Sequence, residues 1–172
     1  MSAVAESVRR PDWRFVLSHP AHFLAFGFGI GLIPFAPGSF GTLLAFPLYA
    51  FLQPRLDPQS WVLVLVALFW IGVWATHRTG RALGVPDHGG MVFDETVAFL
   101  VVLFLTPHSL LWQAFAFLLF RLFDILKPPP IRYLDRRVKG GLGVMLDDLV
   151  AGLFALLCLA GWKALTGSLM NA

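Results

Sequence analysis

The sequence predicts an all-α fold, a polytopic helical membrane bundle with four to five transmembrane helices and an N-terminal interfacial or re-entrant helix. Hydrophobic residues make up 58% of the 172 residues, against about 45–50% in a soluble domain. Charged residues make up only 13%, roughly half the usual share. Long uncharged apolar segments are the third observation, because about 20 apolar residues cross a bilayer core. So much apolar surface excludes a soluble domain of this length.

Five apolar segments supply the predicted helices. The first, residues 22–52, is too long for one simple helix and is interrupted by PFAPGSFGT at 34–42. The other four lie at 61–76, 92–106, 109–125 and about 146–166. Several are shorter than the roughly 20 residues that cross a bilayer, so they must borrow flanking residues or pack in a thinned region.

No internal repeat or linker divides the chain, which predicts a single helical membrane domain over residues 20–166. A cytoplasmic tail at 1–19 precedes this domain, and a C-terminal tail at 167–172 follows it. The only cysteine, Cys158, lies among leucines in the last apolar segment. We expect a core or lipid-facing residue there, because a nucleophilic thiol needs an electropositive, partly exposed setting.

The basic residues predict the orientation of the bundle, since Lys and Arg are concentrated in cytoplasmic loops. Five lie in 127–144, two in 77–90 and three in the N-terminal segment, whereas the 53–60 turn has only Arg55. Placing the basic loops in the cytoplasm requires an odd number of crossings between residues 20 and 60. We therefore expect 20–33 to be interfacial or re-entrant, 34–42 to be a loop, and about 42–53 to be the first crossing.

Five carboxylates fall at the same predicted membrane face, on three different helices. They are Asp94 and Glu95 at the start of the third segment, Asp124 at the end of the fourth, and Asp147 and Asp148 at the start of the fifth. Acids at helix N-termini are favoured by the helix dipole. That explanation accounts poorly for paired acids, which repel, and fails for Asp124 at a C-terminus. The pattern favours a site for a hard cation such as Mg²⁺. This ion prefers oxygen ligands and often takes a substrate phosphate into its coordination shell.

Basic residues on the fourth helix suit a phosphate. Arg121, Asp124 and Lys127 follow one another at a spacing of three, so they form a charged stripe on one helix face. Arginine offers phosphate a bidentate fork and lysine a point charge. Membrane anchoring by snorkelling is the alternative for both basic residues, and local pairing with Asp124 is a further one.

Other polar residues near this face are weaker candidates. Ser39 and Thr42 in PGSFGT (37–42) are positioned to approach a phosphate at a helix N-terminus, although a simple helix-breaking turn explains the stretch equally well. Asp87, His88 and Asp135 are further possible members of the site. For His88, a surface-loop histidine is the simpler interpretation. No His and Cys pattern suggests zinc.

Three stretches together identify a family resemblance. GFGIGLIPFAPGSFGTLLAFP, DHGGMVFDETVAF and FRLFDILKPPPIRYLDRRVKGGLGVMLDDLVAG occur in this order. Over residues 20–155 the chain resembles the phosphatidylglycerophosphatase A family of bacterial membrane enzymes. One departure is that Thr96 and Ala98 follow the acid pair, where the family often has larger residues and then V-G.

The resemblance implies a Mg²⁺-dependent lipid phosphatase that converts phosphatidylglycerophosphate to phosphatidylglycerol and inorganic phosphate, at the cytoplasmic face of the bacterial inner membrane. In this interpretation Asp94, Glu95, Asp124 and Asp148 are catalytic and, with Asp147, hold the metal. Arg121 and Lys127, with Ser39 and Thr42, bind the substrate phosphate. One carboxylate acts as general base or forms an aspartyl phosphate, and the sequence does not choose between them.

The expected partners are the phospholipid substrate and the membrane, with no nucleic acid. A transporter or channel is the competing class, because carboxylates within membranes also mark ion and proton paths. A transport path needs charged groups near the bilayer midplane. Here the acids cluster at one end of the segments and the opposite halves are apolar, which favours the enzyme.

Overall fold

The computed structural model describes residues 11–129 and 131–170, without the side chains of 134–136 and 166–170. This part of the chain is helical and contains no strand, which confirms the predicted all-α class. The helices are α1 (Trp13–Leu17), α2 (Pro20–Ala25), α3 (Pro37–Leu52), α4 (Pro58–Leu83), α5 (Phe93–Leu105), α6 (Leu110–Leu126), α7 (Ile131–Arg137) and α8 (Gly141–Met170). Two 3₁₀ turns, Gly27–Leu32 and Gln53–Arg55, flank α3.

Local sequence signals set several helix ends. Asp57 caps α4, because its carboxylate accepts the N–H groups of Gln59 and Ser60 and satisfies two of the unpaired donors. The same helix ends at Gly84, which adopts the left-handed conformation that glycine tolerates. Lys127 ends α6 in a left-handed conformation directly before the prolines that prevent its continuation.

Helix α5 is the centre of the bundle. It contacts α2, α3, α4, α6 and α8, and most of its side chains are buried. Phe99 is fully buried and lies 5.4 Å, between ring centroids, from both Phe46 of α3 and Phe120 of α6. A helix of this length is about 20 Å long, less than the roughly 30 Å of a bilayer core. Its burial by neighbouring helices lets it be short.

The five longest helices alternate in direction. At one end, which we call the acidic end, α3, α5 and α8 begin and α4 and α6 finish. Ion pairs and close contacts near Glu95 and Asp147 connect these termini. At the opposite end, the Tyr49 hydroxyl of α3 is 3.2 Å from His108 Nδ1, just before α6, and the Trp61 ring packs on Phe104. The arrangement brings the charged residues of separate segments to one end.

Apolar side chains cover the outside of the bundle. Leu63 and Trp70 on α4, Leu111 and Leu118 on α6, and Leu157 on α8 are each at least 59% exposed. Soluble monomers rarely expose so many large apolar side chains together. Two helices, Pro58–Leu83 and Gly141–Leu165, are long and apolar enough to cross a membrane by length and composition. Cys158 is exposed on this exterior, in agreement with a lipid-facing residue.

Glycines let the helices approach closely at the acidic end. A Cβ at Gly41 of α3 would lie 2.5 Å from Val92 Cβ, and one at Gly72 of α4 would lie 2.5 Å from Met145 Sδ. A Cβ at Gly141 would lie 2.1 Å from the Val73 carbonyl oxygen. Small residues at helix contacts are typical of membrane bundles, where packing rather than hydrophobic burial holds helices together.

The structure corrects two expected boundaries. The predicted loop at 34–42 is wrong for its second half, because α3 begins at Pro37 and PGSFGT forms its first turns. Proline is favoured at a first helical position, and the glycines are accommodated by close packing. The expected loop at 77–90 is also too long, since α4 continues to Leu83. The hydroxyl of Thr79, near the end of this helix, lies within hydrogen-bonding distance of His22 Nδ1 of α2.

The segment expected to be interfacial or re-entrant, residues 20–33, is broken into α2 and a 3₁₀ turn. Gly27, Phe28 and Gly29 have positive φ angles, which end the helix and turn the chain. Helix α2 packs on the last turns of α4, and the 3₁₀ turn packs on α3. A six-residue helix is about 9 Å long, shorter than the roughly 30 Å of a bilayer core. The interfacial or re-entrant placement of this segment stays a prediction.

Candidate active site

All five predicted acids come together at the acidic end. Asp94 and Glu95 lie in the first turn of α5, Asp124 in the last turn of α6, and Asp147 and Asp148 in the second turn of α8. Asp94, Asp147 and Asp148 are only 6%, 3% and 4% exposed. The charges of the other four act on Asp148, which shows that three helices form one acidic cluster.

Part of this cluster lacks hydrogen-bond partners. Asp94 Oδ1, Glu95 Oε2 and Asp148 Oδ2 are buried without a partner among the described residues, and so is Arg121 Nε. A buried polar atom that is left unpaired costs its full desolvation, and a charged one costs more. These atoms lie on α5, α6 and α8, the three helices that form the cluster.

Arg121 is the cation that faces α5. Its Nη1 lies 3.3 Å from Glu95 Oε1, and Asp124 Oδ2 is 2.7 Å from the same nitrogen. Nη1 also donates to the Thr42 hydroxyl at 3.3 Å, and that hydroxyl in turn donates to the Gly38 carbonyl. These contacts confirm the local pairing of Arg121 with Asp124 and fix the guanidinium between α3, α5 and α6.

Lys127 contacts the opposite side of the cluster. Its ammonium group donates to Asp147 Oδ2 of α8 and forms an ion pair with it. The left-handed conformation at Lys127 turns the chain at the end of α6, where the following prolines prevent further helix. The lysine therefore faces the acids instead of only anchoring the helix at a membrane surface.

The first turns of α3 form the wall beside Glu95. Thr42 is fully buried and holds Arg121, so any part it has in phosphate binding acts through that residue. Ser39 is half-buried in the same turns, and its N–H donates to the Ala36 carbonyl. The phosphate-binding role expected for Ser39 and Thr42 stays a prediction.

Sequence reasoning missed the role of Gly38. A Cβ at this position would lie 2.0 Å from Glu95 Oε1 and 3.0 Å from Arg121 Nη2. Only glycine lets the Glu95 carboxylate and the guanidinium lie against the backbone of α3. The signal was present in the spacing of small buried residues along one face of α3, namely Gly38, Gly41, Thr42 and Ala45.

Thr96 is a second residue that sequence reasoning undervalued. Its hydroxyl is 2.8 Å from both the Gly41 carbonyl of α3 and the Val92 carbonyl of α5. The hydroxyl therefore links the two helices that carry Gly38 and Glu95. A small polar residue after the acid pair is thus explained by the helix contact that it makes.

The three further candidates have different surroundings. Asp87 is exposed in the loop before α5, and its charge acts on both Asp94 and Glu95. His88 is half-buried, and its Nδ1 accepts the Gly90 N–H at 3.0 Å. The Asp135 side chain lies outside the described part of the chain, so its membership of the site stays a prediction.

The donor set suits a hard cation that is only partly bound by protein. Within residues 11–129 and 131–170, no group of three or more His, Cys, Asp or Glu side chains is placed to hold a metal ion by itself. The unpaired oxygens of Asp94, Glu95 and Asp148 are nevertheless ligands of the kind that Mg²⁺ uses. Mg²⁺ commonly binds one or two carboxylates and completes its shell with water and phosphate. The cluster therefore fits Mg²⁺ better than it fits a structural metal ion whose ligands all come from the protein.

Known proteins that are similar to this chain are named as phosphatases. A family model described as phosphatidylglycerophosphatase A matches residues 23–163. The chain is 43% identical over 143 residues to the phosphatidylglycerophosphatase A of Escherichia coli, covering 83% of each chain. It is 43% identical over 143 residues to that of Haemophilus influenzae, covering 82% of this chain and 87% of the relative.

A third relative carries a different name. A protein of Bacteroides thetaiotaomicron, provisionally named a phosphatidylinositol-3-phosphatase, is 39% identical over 145 residues, which cover 79% of this chain and 90% of that protein. No solved structure matches the chain significantly. The named relatives are all lipid phosphatases, and their names differ in the lipid headgroup.

The contact between Gly38 and Glu95 can be tested by a double-mutant cycle. Gly38→Ala should lower the free energy of unfolding by about 1–3 kcal/mol, as overpacking does, because its Cβ meets the Glu95 carboxylate. In a Glu95→Ala background the same change should cost clearly less, since the clashing oxygen is absent. Thermal unfolding in detergent measures all four variants, with Gly161→Ala as control because its Cβ meets nothing within 4 Å. Strictly additive effects would contradict the contact.

Proposed function

The chain belongs to the phosphatidylglycerophosphatase A family, and we propose that it hydrolyses phosphatidylglycerophosphate to phosphatidylglycerol and inorganic phosphate. The observation that carries the proposal is the acidic cluster, in which buried unpaired carboxylate oxygens from α5 and α8 lie with Arg121 and Lys127. Phosphate-ester cleavage needs charge neutralisation around phosphorus and a placed nucleophile. The cluster offers residues for both tasks.

We propose that the reaction uses Mg²⁺ bound by carboxylates among Asp94, Glu95 and Asp148 together with water and the substrate phosphate, with Asp124 and Asp147 as additional carboxylates. The support is the set of unpaired oxygens on Asp94, Glu95 and Asp148, which makes them available as ligands. A bound divalent cation would polarise the phosphoryl group and lower the pKa of a coordinated water. Asp124 and Asp147 are held by Arg121 and Lys127, so they also position these cations.

Arg121 and Lys127 then bind the phosphate that is cleaved. Arg121 contacts the cluster from α6 through Nη1, and its buried Nε has no partner among the described residues. A phosphate oxygen would satisfy that donor, and Lys127 would add a second positive charge from the side of Asp147.

Water is the proposed nucleophile. Its oxygen bonds to phosphorus, the bond from phosphorus to the glycerol oxygen breaks, and a carboxylate takes the proton of water and returns it to the leaving oxygen. The side chains of the five acids are 14% exposed or less. A water molecule therefore reaches a carboxylate more easily than a phosphorus atom with its substituents does, which favours attack by water over attack by an aspartate. Attack by an aspartate is the alternative route, and trapping with hydroxylamine would reveal its acyl phosphate.

The transporter alternative is not favoured by the central helix. Between Thr96 and Thr106, α5 carries only apolar side chains. This helix is enclosed by its neighbours, so an ion path through the bundle would have to pass along it. A transport path would require polar side chains along the bundle, and α5 carries none between Thr96 and Thr106.

We further propose a multi-pass protein of the bacterial inner membrane, with α3, α4, α5, α6 and α8 as its crossings and the acidic end in the cytoplasm. The exposed apolar exterior and the alternating helix directions support the crossings. Basic residues favour the cytoplasm for the acidic end. Near it lie Arg78, Arg81, Lys127, Arg132, Arg137 and Lys139.

Phosphate release from phosphatidylglycerophosphate by purified protein tests the function and the site together. Asp124→Asn should lower turnover by at least about 100-fold, because it removes the charge that holds Arg121, while folding is retained. Asp57→Asn is the matched control, since that acid caps α4 at the opposite end and asparagine also caps helices. Near-normal turnover by Asp124→Asn would remove it from the site. Absence of release by the wild-type protein would overturn the function.

Cysteine labelling tests the orientation. In a Cys158→Ser background, Lys139→Cys places a thiol at the acidic end and Gln59→Cys places one at the opposite end, both at exposed positions. A membrane-impermeant maleimide should label Gln59→Cys in intact spheroplasts and Lys139→Cys only after permeabilisation. The reverse pattern would place the acidic end outside the cytoplasm.

A further inference from the structure

A cavity lies near the acidic cluster, between the 3₁₀ turn at 27–32, the loop before α5 and the start of α3. We call it the side cavity. Its volume is about 410 Å³, within the range of roughly 300–1,000 Å³ that is usual for ligand sites. Residues that line it include Phe26, Gly31, Leu32, Pro37, His88 and Gly90.

The side cavity adjoins the acidic cluster through two walls. Pro37 lines the cavity and directly precedes Gly38, whose backbone lies against the Glu95 carboxylate. On the other wall, His88 follows Asp87, whose charge acts on Asp94 and Glu95. The side cavity and the acidic cluster therefore share two short stretches of backbone.

The lining of the cavity suits a neutral hydroxylated group. Among the described residues that line it, His88 is the only titratable side chain, and the others are glycines, prolines and apolar residues. These described residues offer none of the cationic side chains that phosphate sites commonly use. Backbone groups and one imidazole are instead the kind of partners that orient an uncharged ligand in a pocket.

The structure determines how His88 presents its ring. The Gly90 N–H donates to Nδ1 at 3.0 Å, so Nδ1 is an acceptor and the neutral imidazole carries its proton on Nε2. The ring lies beside Phe26, with 5.9 Å between the ring centroids. A Cβ at Gly90 would lie 2.7 Å from Phe26 Cε1 and 3.2 Å from His88 Nδ1. Glycine at this position lets the loop hold the ring with Nε2 as a donor.

We propose that the side cavity receives the glycerol of the lipid headgroup and that His88 Nε2–H donates a hydrogen bond to one of its hydroxyl oxygens. The inference rests on the proposed function and concerns how the same site selects its substrate. In phosphatidylglycerophosphate the headgroup glycerol carries the terminal phosphate through one ester oxygen. A phosphate in the acidic cluster therefore places that glycerol directly beside it, where the cavity lies. His88 is then a specificity-determining residue.

Competitive inhibition in mixed micelles tests the proposal without requiring a second substrate to be hydrolysed. Phosphatidylglycerol retains the headgroup glycerol, whereas phosphatidic acid lacks it. His88→Asn keeps an acceptor for the Gly90 N–H and removes the Nε2 donor. It should weaken inhibition by phosphatidylglycerol by about tenfold, the upper end for one neutral hydrogen bond, and leave inhibition by phosphatidic acid unchanged. His88→Gln, whose amide reaches the Nε2 position, should restore most of the loss.

A second variant is independent of the imidazole. A Cβ at Gly89 meets nothing within 4 Å, and this residue also lines the cavity. Gly89→Leu should therefore fold, fill part of the cavity and weaken inhibition by phosphatidylglycerol but not by phosphatidic acid. Gly89→Ala should change the inhibition constant of neither lipid. Equal losses for both lipids, or no loss for either in His88→Asn and Gly89→Leu, would overturn the inference. Failure of the wild-type protein to cleave phosphatidylglycerophosphate would instead overturn the proposed function.

Discussion

The burial of several carboxylates at one end of the bundle is the constraint on which the rest of the structure depends. Asp94, Asp147 and Asp148 are almost inaccessible and repel one another when ionised, and nearby positive charge lowers that repulsion. Arg121 and Lys127 provide part of that charge through ion pairs with acids on other helices. The oxygens of Asp94, Glu95 and Asp148 that have no hydrogen-bond partner among the described residues are the ligands proposed for Mg²⁺.

Helix packing brings the acids to this common depth. Gly38 and Gly41 let α3 approach α5, and Gly72 and Gly141 do the same for α4 and α8. Because α5 is enclosed by other helices, its first turn can carry charged residues without exposing them to lipid. A lipid substrate can then keep its acyl chains along the apolar exterior while its phosphate reaches the acids. The same packing forms the side cavity, where the backbones of Gly31 and Gly90 meet.

The all-α class and the grouping of the acids were predictable from the sequence, because both follow from hydrophobic segments whose charged ends alternate in direction. For this reason the sequence predicts that Glu95, Asp124 and Asp148 belong to one site. Helix ends were less predictable, since Gly38 read as a turn residue although its neighbours bury it within α3. The pairing of Lys127 with Asp147 was not predictable, because residues of different helices are related only by tertiary packing. Composition alone also gave no sign that Thr42 would hold Arg121.

The central claim is that the acids of α5 and α8 together hold a divalent cation. Mn²⁺ binding, followed by electron paramagnetic resonance after removal of metal with EDTA, tests it most directly because Mn²⁺ also prefers oxygen ligands. Wild-type protein should bind Mn²⁺ saturably and release it to excess Mg²⁺. Asp148→Asn should weaken that binding at least about tenfold, as loss of a ligand carboxylate implies, and Asp57→Asn should not change it. Absence of saturable binding by the wild type, or equal binding by both variants, would contradict the claim.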